Sequence, residues 1–302
     1  MEHPIRIAIL GGDRRFSYLA GMLARDGCEV RVACAIAGDP APSVIACDTP
    51  RDALEEARAV VLPLPILGAD GRLNTPGVPD SRNRPDAYAL LAQMPKDCVV
   101  SGGLAPSDYG LCAARHGLRL VDYYAREEFA VANCVPTAEG AIETAMRELP
   151  VTLHGSDLLV IGWGRVGKAL ATRLAALGAH VTVSARKPGD LAGIISCGLT
   201  PAKTPELLRD ETGILSRAAV IFNTVPWPVL GWEELVAMRP DCVYIELASA
   251  PGGLDVEAAA CAQLRVIRAP GLPGLVAPVS AAAILRDTLY NIWREQGVTA
   301  DA

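Results

Sequence analysis

The six residues Gly162-Trp163-Gly164-Arg165-Val166-Gly167 carry the plainest chemistry in the chain. They follow the apolar run 158–161 and open a helical pattern that lasts to Leu177 and stops at Gly178. A glycine in the first position permits a tight turn, in the second it lets a pyrophosphate approach the backbone, and in the third it lets the helix pack on its strand. The helix N-terminus then offers N–H groups and a positive dipole end to the phosphates. A strand before the turn and a helix after it are the context this spacing requires, so the six residues read as the phosphate-binding turn of a nicotinamide dinucleotide site. The kind of dinucleotide turns on the end of the next strand. An NAD site places Asp or Glu there, roughly 20 residues on, to hold the ribose 2′-hydroxyl. This chain has Ser184-Ala185-Arg186-Lys187 and no acid. A hydroxyl and two cations suit a 2′-phosphate, so NADP(H) is the expected cofactor, with a solvated loop end as the competing reading of Arg186 and Lys187. Two later strand ends fall where open parallel sheets bind ligands. There Asn223, Thr224, Val225, Pro226, Ala248 and Ser249 are expected to complete the cofactor site.

Proton chemistry is sparser. The histidines are His3, His116, His154 and His180, so none follows residue 180. Hydroxyacid dehydrogenases of two-domain shape use a late histidine as acid and base, and that relay is missing here. His180 opens a strand and reads as structural. The nine cysteines are scattered without a CxxC pair or a His at ligand spacing. No metal site is expected, and reduced thiols of a cytosolic protein are.

The elements that must position these groups alternate. Strand-like runs at 5–10, 29–32, 59–63, 98–103 and 118–122 are separated by helical patterns, and a second series begins at 157 with runs at 158–161, 180–184, 219–223, 243–247 and 265–267. Strands alternating with helices mean parallel sheets. The fold class is therefore α/β, with two doubly wound Rossmann-like domains and a cleft between them. Residues 1–133 form the substrate-side domain, with a last helix at 278–297 packing back on it. Residues 134–277 form the NADP-binding domain, opened by a crossover helix that Pro136-Thr137 begins. The Gly- and Pro-rich segment 68–85 reads as a long surface loop.

Half of the residues are apolar, enough for two aliphatic cores, and the net charge of −6 argues against nucleic acid as a partner. No leader pattern and no apolar stretch of about 18 residues is present, so a soluble cytoplasmic protein with no membrane association is expected.

Six segments together resemble the family of dipicolinate synthase A subunits. They are the Gly11-Gly12-Asp13 turn with Arg15, residues 135–140 (Val-Pro-Thr-Ala-Glu-Gly), His154-Gly155-Ser156, Asn223-Thr224-Val225-Pro226, the Ala-Pro-Gly-Gly turn 250–253 with Asp255, and residues 269–274. Their order and spacing match over essentially the whole chain. The resemblance implies NADP-dependent conversion of a dihydrodipicolinate-type ring to pyridine-2,6-dicarboxylate. It also implies a second, flavoprotein-like subunit. For location it implies the mother-cell cytoplasm of a spore former. Arg14 beside Arg15 and Trp163 inside the glycine turn depart mildly from the family's pattern.

A dianionic substrate calls for guanidinium forks, and Arg15 and Arg126 are the candidates, each weighed against an ordinary salt bridge. Thr137 reads equally as a helix cap or as a carboxylate ligand. Glu139 and His154 are candidates for moving a proton, with a dipole-favoured acid and a structural histidine as the competing readings. Ser249 is placed near the nicotinamide. Another NADP-dependent reductase of an imine or oxo acid, or a cofactor sensor without turnover, would use the same scaffold. Two-domain enzymes of this kind commonly form homo-oligomers, which is expected here as well.

Overall fold

Ile7, Ala8, Ile9 and Leu10 have no solvent exposure, and they divide by alternation. Ile7 and Ile9 pack with Phe16, Leu19 and Leu23, whereas Ala8 and Leu10 pack with Val60, Leu62 and Val100. An unbroken apolar run thus marks a strand covered on both faces. In the computed structural model, which describes residues 4–35, 43–209, 212–249 and 251–298, this strand is β1 (Arg6–Leu10). It belongs to a parallel sheet with β2 (Glu29–Ala33), β3 (Val44–Ala46), β4 (Ala59–Val61), β5 (Val99–Gly102) and β6 (Arg119–Asp122), in the order β3-β2-β1-β4-β5-β6. The chain divides into two compact units, residues 1–133 with 277–302 and residues 134–276.

The first unit is closed by the chain's last helix, Pro278–Glu295. Ala282, Leu285, Leu289, Ile292 and Trp293 form its buried stripe, at the spacing of one helical face, and join Phe16, Leu19 and Leu23 of the first helix, Arg14–Arg25. Glu295 at its end takes both terminal nitrogens of Arg126, at 2.7 and 2.6 Å.

The second unit repeats the plan. Its sheet contains β7 (Asp157–Ile161), β8 (His180–Ala185), β9 (Thr200–Lys203), β10 (Val220–Asn223), β11 (Val243–Glu246) and β12 (Arg265–Arg268), in the order β12-β11-β10-β7-β8-β9. Leu158 and Val160 face Ala138, Ala141 and Ala145 of the crossover helix, while Leu159 and Ile161 face Ile214 and Leu235. All strand pairs of both sheets are parallel.

Three local expectations change. β3 and β9 have no counterpart in the sequence pattern: they are short edge strands, and β9 contains Pro201, which an edge tolerates. The crossover helix is Cys134–Glu148, so it begins before Pro136. Proline is at home in a first turn, where its missing N–H costs nothing, and Thr137 therefore lies inside the helix and does not cap it. Finally, segment 68–85 is not merely a surface loop. Leu67 bridges Leu73, Arg84 pairs with Asp70 at 3.0 Å, and Leu73 and Thr75 are fully buried.

Candidate functional site

The glycines of the 162–167 turn meet three different surroundings, and these give each one its reason. Gly162 has φ +104, and a Cβ there would lie 2.5 Å from Thr224 Oγ1 and 2.8 Å from Val225 Cγ2. At Gly167 a Cβ would fall 2.1 Å from the carbonyl oxygen of Gly162. At Gly164 it would meet nothing within 4 Å. The outer two glycines are thus required by packing, and the middle one borders open space. Gly164 is the N-cap of the helix Arg165–Ala176 and offers no side chain to cap it. Lys168 N donates to Gly164 O at 2.9 Å, so the preceding amides of the first turn lack intrahelical acceptors. They form a donor row suited to a pyrophosphate. Arg165 is exposed and Val166 half-buried at this end. Trp163 turns inward instead: it joins the core cluster, and its indole nitrogen fills the space beside Gly193. The indole side chain has a packing role, with Lys168 Nζ 5.7 Å from the ring centre.

The first unit has the same strand order and a glycine turn of its own, Gly11-Gly12-Asp13, after its first strand, but this cradle is filled from within. Asp13 caps the first helix by accepting from Arg15 N at 3.0 Å, and Gly12 N donates to Asn74 O at 2.9 Å. A Cβ at Gly11 would collide with Thr75 and Asn74. The segment 68–85 thus supplies the acceptor, and Asp13 the carboxylate, that a phosphate would otherwise provide.

At the end of β8, Arg186 and Lys187 are exposed, and among the described residues their side chains have no ion-pair partner. Ser184 is fully buried and accepts a hydrogen bond from Thr204 Oγ1 at 3.1 Å. Its hydroxyl is thus covered by Thr204, which is half-buried. No local pattern marks Thr204, because it arrives from the edge strand β9.

On the other side of β7, the Asn223 amide is spent inside the protein. Nδ2 donates to Val225 O and to Glu246 Oε1, at 2.8 and 2.7 Å, and Oδ1 accepts from Val225 N. Asn223 is fully buried, and its side chain shapes its loop. Thr224 bonds Ile161 O, and Val225 covers Gly162. Pro226 and Ser249 are exposed and Ala248 is half-buried; Ala250 falls outside the described residues. Glu246, which the sequence does not single out, ties Ala248 N and Gly253 N to this cluster at 3.0 and 2.7 Å.

Of the proton and carboxylate candidates, three are placed elsewhere. His154 lies against Gly178, before β7 begins, at the end of the sheet opposite the glycine turn. The five residues of β7 put roughly 17 Å between the two ends. A parallel sheet cannot bring both ends to one ligand, and His154 leaves the catalytic set. His154→Gln is expected to change turnover by no more than roughly twofold, the scale of about 0.5 kcal/mol for a surface change, in steady-state kinetics over the working pH range. Glu139 is exposed, with its carboxylate 4.0 Å from Arg173 Nε, about two turns down the fingerprint helix from the phosphate end. Arg126 is closed on Glu295 and Glu128, which raises its pKa still further and leaves no fork for a substrate. Arg15 is buried, with its Nε and Nη2 on Asp13 and Nη2 also donating to Leu64 O. Thr137 is half-buried in the crossover helix.

Burial pushes the Cys98 thiol up to about 11 and the Cys242 thiol up to about 12, so neither is a nucleophile. Among the described residues no cluster of His, Cys, Asp and Glu could hold a metal, and no helix is long and apolar enough to cross a membrane.

Comparison with known proteins agrees with this geometry. Residues 6–124 match the family of N-terminal domains of the dipicolinate synthase A subunit, and residues 130–266 match the family described as "D-isomer specific 2-hydroxyacid dehydrogenase, NAD binding domain". The chain is 31% identical to the dipicolinate synthase A subunit of Bacillus subtilis (strain 168) over 292 residues, which are 96% of each chain. The crystal structure of the dipicolinate synthase A subunit from Bacillus halodurans superposes with a TM-score of 0.84 at 29% identity, covering 96% of this chain and 99% of that one. The crystal structure of the corresponding Bacillus subtilis protein gives 0.82 at 29% identity, covering 99% and 98%. A nicotinamide-binding dehydrogenase domain, two parallel sheets and a full-length match converge: the chain belongs to the family of dipicolinate synthase A subunits.

Proposed function

We propose that this protein is the dehydrogenase subunit of a dipicolinate synthase, oxidising a dihydrodipicolinate ring to pyridine-2,6-dicarboxylate. The single observation that carries the cofactor half of the reading is the open space at Gly164, at the head of the helix Arg165–Ala176, with Arg186 and Lys187 at the end of β8. The substrate half rests on the full-length likeness to dipicolinate synthase A subunits.

NADP⁺, when bound, supplies the acceptor for the hydride. A ring carbon gives up the hydride, a proton is lost, and aromatic pyridine, NADPH and H⁺ result. Aromatisation drives the step, so no strong base need stand over the ring. That suits a domain whose two histidines, His154 and His180, precede β7 and open β8, away from the glycine turn. Arg15, Thr137 and Ser249 remain the proposed contacts for the substrate's carboxylates, and Arg15 would share its fork with Asp13. Arg268, exposed at the end of β12 and without an ion-pair partner among the described residues, is a further exposed guanidinium of the second unit. A second, flavoprotein-like subunit is the proposed partner, since the relatives are named as one subunit of a synthase.

The test combines purified protein, precursor generated in situ and NADP⁺, with and without the second subunit. NADPH and dipicolinate should appear in equal amounts. Cofactor binding with neither product, the second subunit being present, would replace this reading with that of a cofactor sensor or of a reductase for another substrate.

A further inference from the structure

Glu246 is 6% exposed, and among the described residues its carboxylate's partners are all neutral donors. Oε1 accepts from Asn223 Nδ2 at 2.7 Å and Ala248 N at 3.0 Å; Oε2 accepts from Gly253 N at 2.7 Å and Tyr244 OH at 3.4 Å. A buried carboxylate without a cation is costly unless its lone pairs are filled, and here they are filled by two loops at once. Asn223 carries the loop after β10, and Ala248 with Gly253 carries the loop after β11. The glycines show how closely the second loop lies. A Cβ at Gly252 would sit 2.8 Å from Glu246 Oε2, and one at Gly253 would sit 2.2 Å from Asn223 Nδ2.

The sheet order assigns these loops to one half of the cofactor. β7, with the phosphate turn, stands between β8 and β10. A dinucleotide crosses such a switch point. If the adenosine ribose lies at the end of β8, the nicotinamide half lies over β10 and β11. We propose that Glu246 is a positioning residue for the nicotinamide half: it touches no ligand, and it clamps the two loops that do. The proposal rests on the nicotinamide site described above and not on the choice of substrate or of 2′-phosphate.

The experiment is calorimetric titration of full-length protein with NADP⁺, NAD⁺ and their adenosine fragments 2′,5′-ADP and ADP. Wild type is compared with Glu246→Ala and Glu246→Gln. Removing the carboxylate strands the N–H groups of Asn223 and Gly253, so dinucleotide affinity should fall roughly tenfold or more, while fragment affinity stays within about twofold. Glu246→Gln keeps the volume but turns an N–H₂ toward those donors, and it decides the matter if the alanine variant does not fold. Fragments and dinucleotides weakening together would show that Glu246 holds the whole domain, and this overturns the proposal. Unchanged dinucleotide binding overturns it too. Failure of wild type to bind any dinucleotide would instead sink the cofactor reading itself.

Discussion

Gly167→Ala is expected to abolish dinucleotide binding and to lower thermal stability, whereas Gly164→Ala should abolish binding alone. The two glycines stand three residues apart in one turn and differ in what surrounds them. A Cβ on Gly167 would lie 2.1 Å from Gly162 O and 3.0 Å from its carbonyl carbon. Both are backbone atoms and cannot swing aside. Gly162 is itself pinned by its N–H bond to Ser184 O at 2.9 Å and by the covering side chains of Thr224 and Val225. The helix Arg165–Ala176 must therefore lift from β7, at a cost of about 1–3 kcal/mol for overpacking. For a domain of this size that is a fall of roughly 2–4 °C in Tm per kcal/mol. The same displacement moves the donor row off the phosphates, and affinity should drop about a hundredfold or more, the scale of losing two charge-assisted hydrogen bonds. Gly164 has φ −80, which alanine accepts without strain, and open space where its Cβ would go. The folded protein should not notice the change, and the cofactor should. Thermal melts beside cofactor titrations separate the cases. A Gly164→Ala protein that binds normally would show that the open space is not the pyrophosphate site.

The second large effect concerns the choice of cofactor. The double change Arg186→Ala with Lys187→Ala should weaken NADP(H) by about 100- to 20,000-fold and NAD(H) by no more than about threefold, if each cation supplies a charge-assisted bond of about 1.5–3 kcal/mol to a 2′-phosphate. Both side chains are exposed and have no ion-pair partner among the described residues, so their removal breaks nothing in the fold. Thr204, held against Ser184 at 3.1 Å, is the remaining hydroxyl at that strand end. The preference should also weaken with salt, because the contacts are near the surface. Parallel losses for NADP(H) and NAD(H) in the double variant would remove the 2′-phosphate from the reading and leave the two cations as a solvated loop end.

The spacing of residues along the chain is enough for the parts of this protein that are local. The run 158–161 followed by three spaced glycines specifies a buried strand, a turn and a helix, since each is built from neighbours in sequence. Alternating apolar strands and helices specify the parallel sheets for the same reason. Patterns fail where the element is short and at an edge. β3 and β9 are three and four residues long and mostly exposed, too little to leave a period. Pro136 reads as a boundary in sequence because proline is equally suited to a helix's first turn.

The site's finer division depends on pairs that no period can reveal. Asn74 O reaches Gly12 N across 62 residues and fills the first unit's cradle. Asn223 and Glu246 meet across 23 residues only because β10 and β11 are neighbours in register, which turns a supposed ligand residue into a brace. Arg126 finds Glu295 across 169 residues, because the last helix returns to the first unit. His154 belongs to a motif whose residues are close in sequence to β7, yet the strand's direction carries it to the far end of the sheet. What the sequence determined by itself was every feature whose free energy comes from adjacent residues: strands, turn, helix ends and the absence of an acid beside Arg186. Which of two similar glycine turns stays open, and which polar groups are left free to meet a ligand, was decided by tertiary structure, because a buried donor or acceptor takes the nearest partner the fold brings to it.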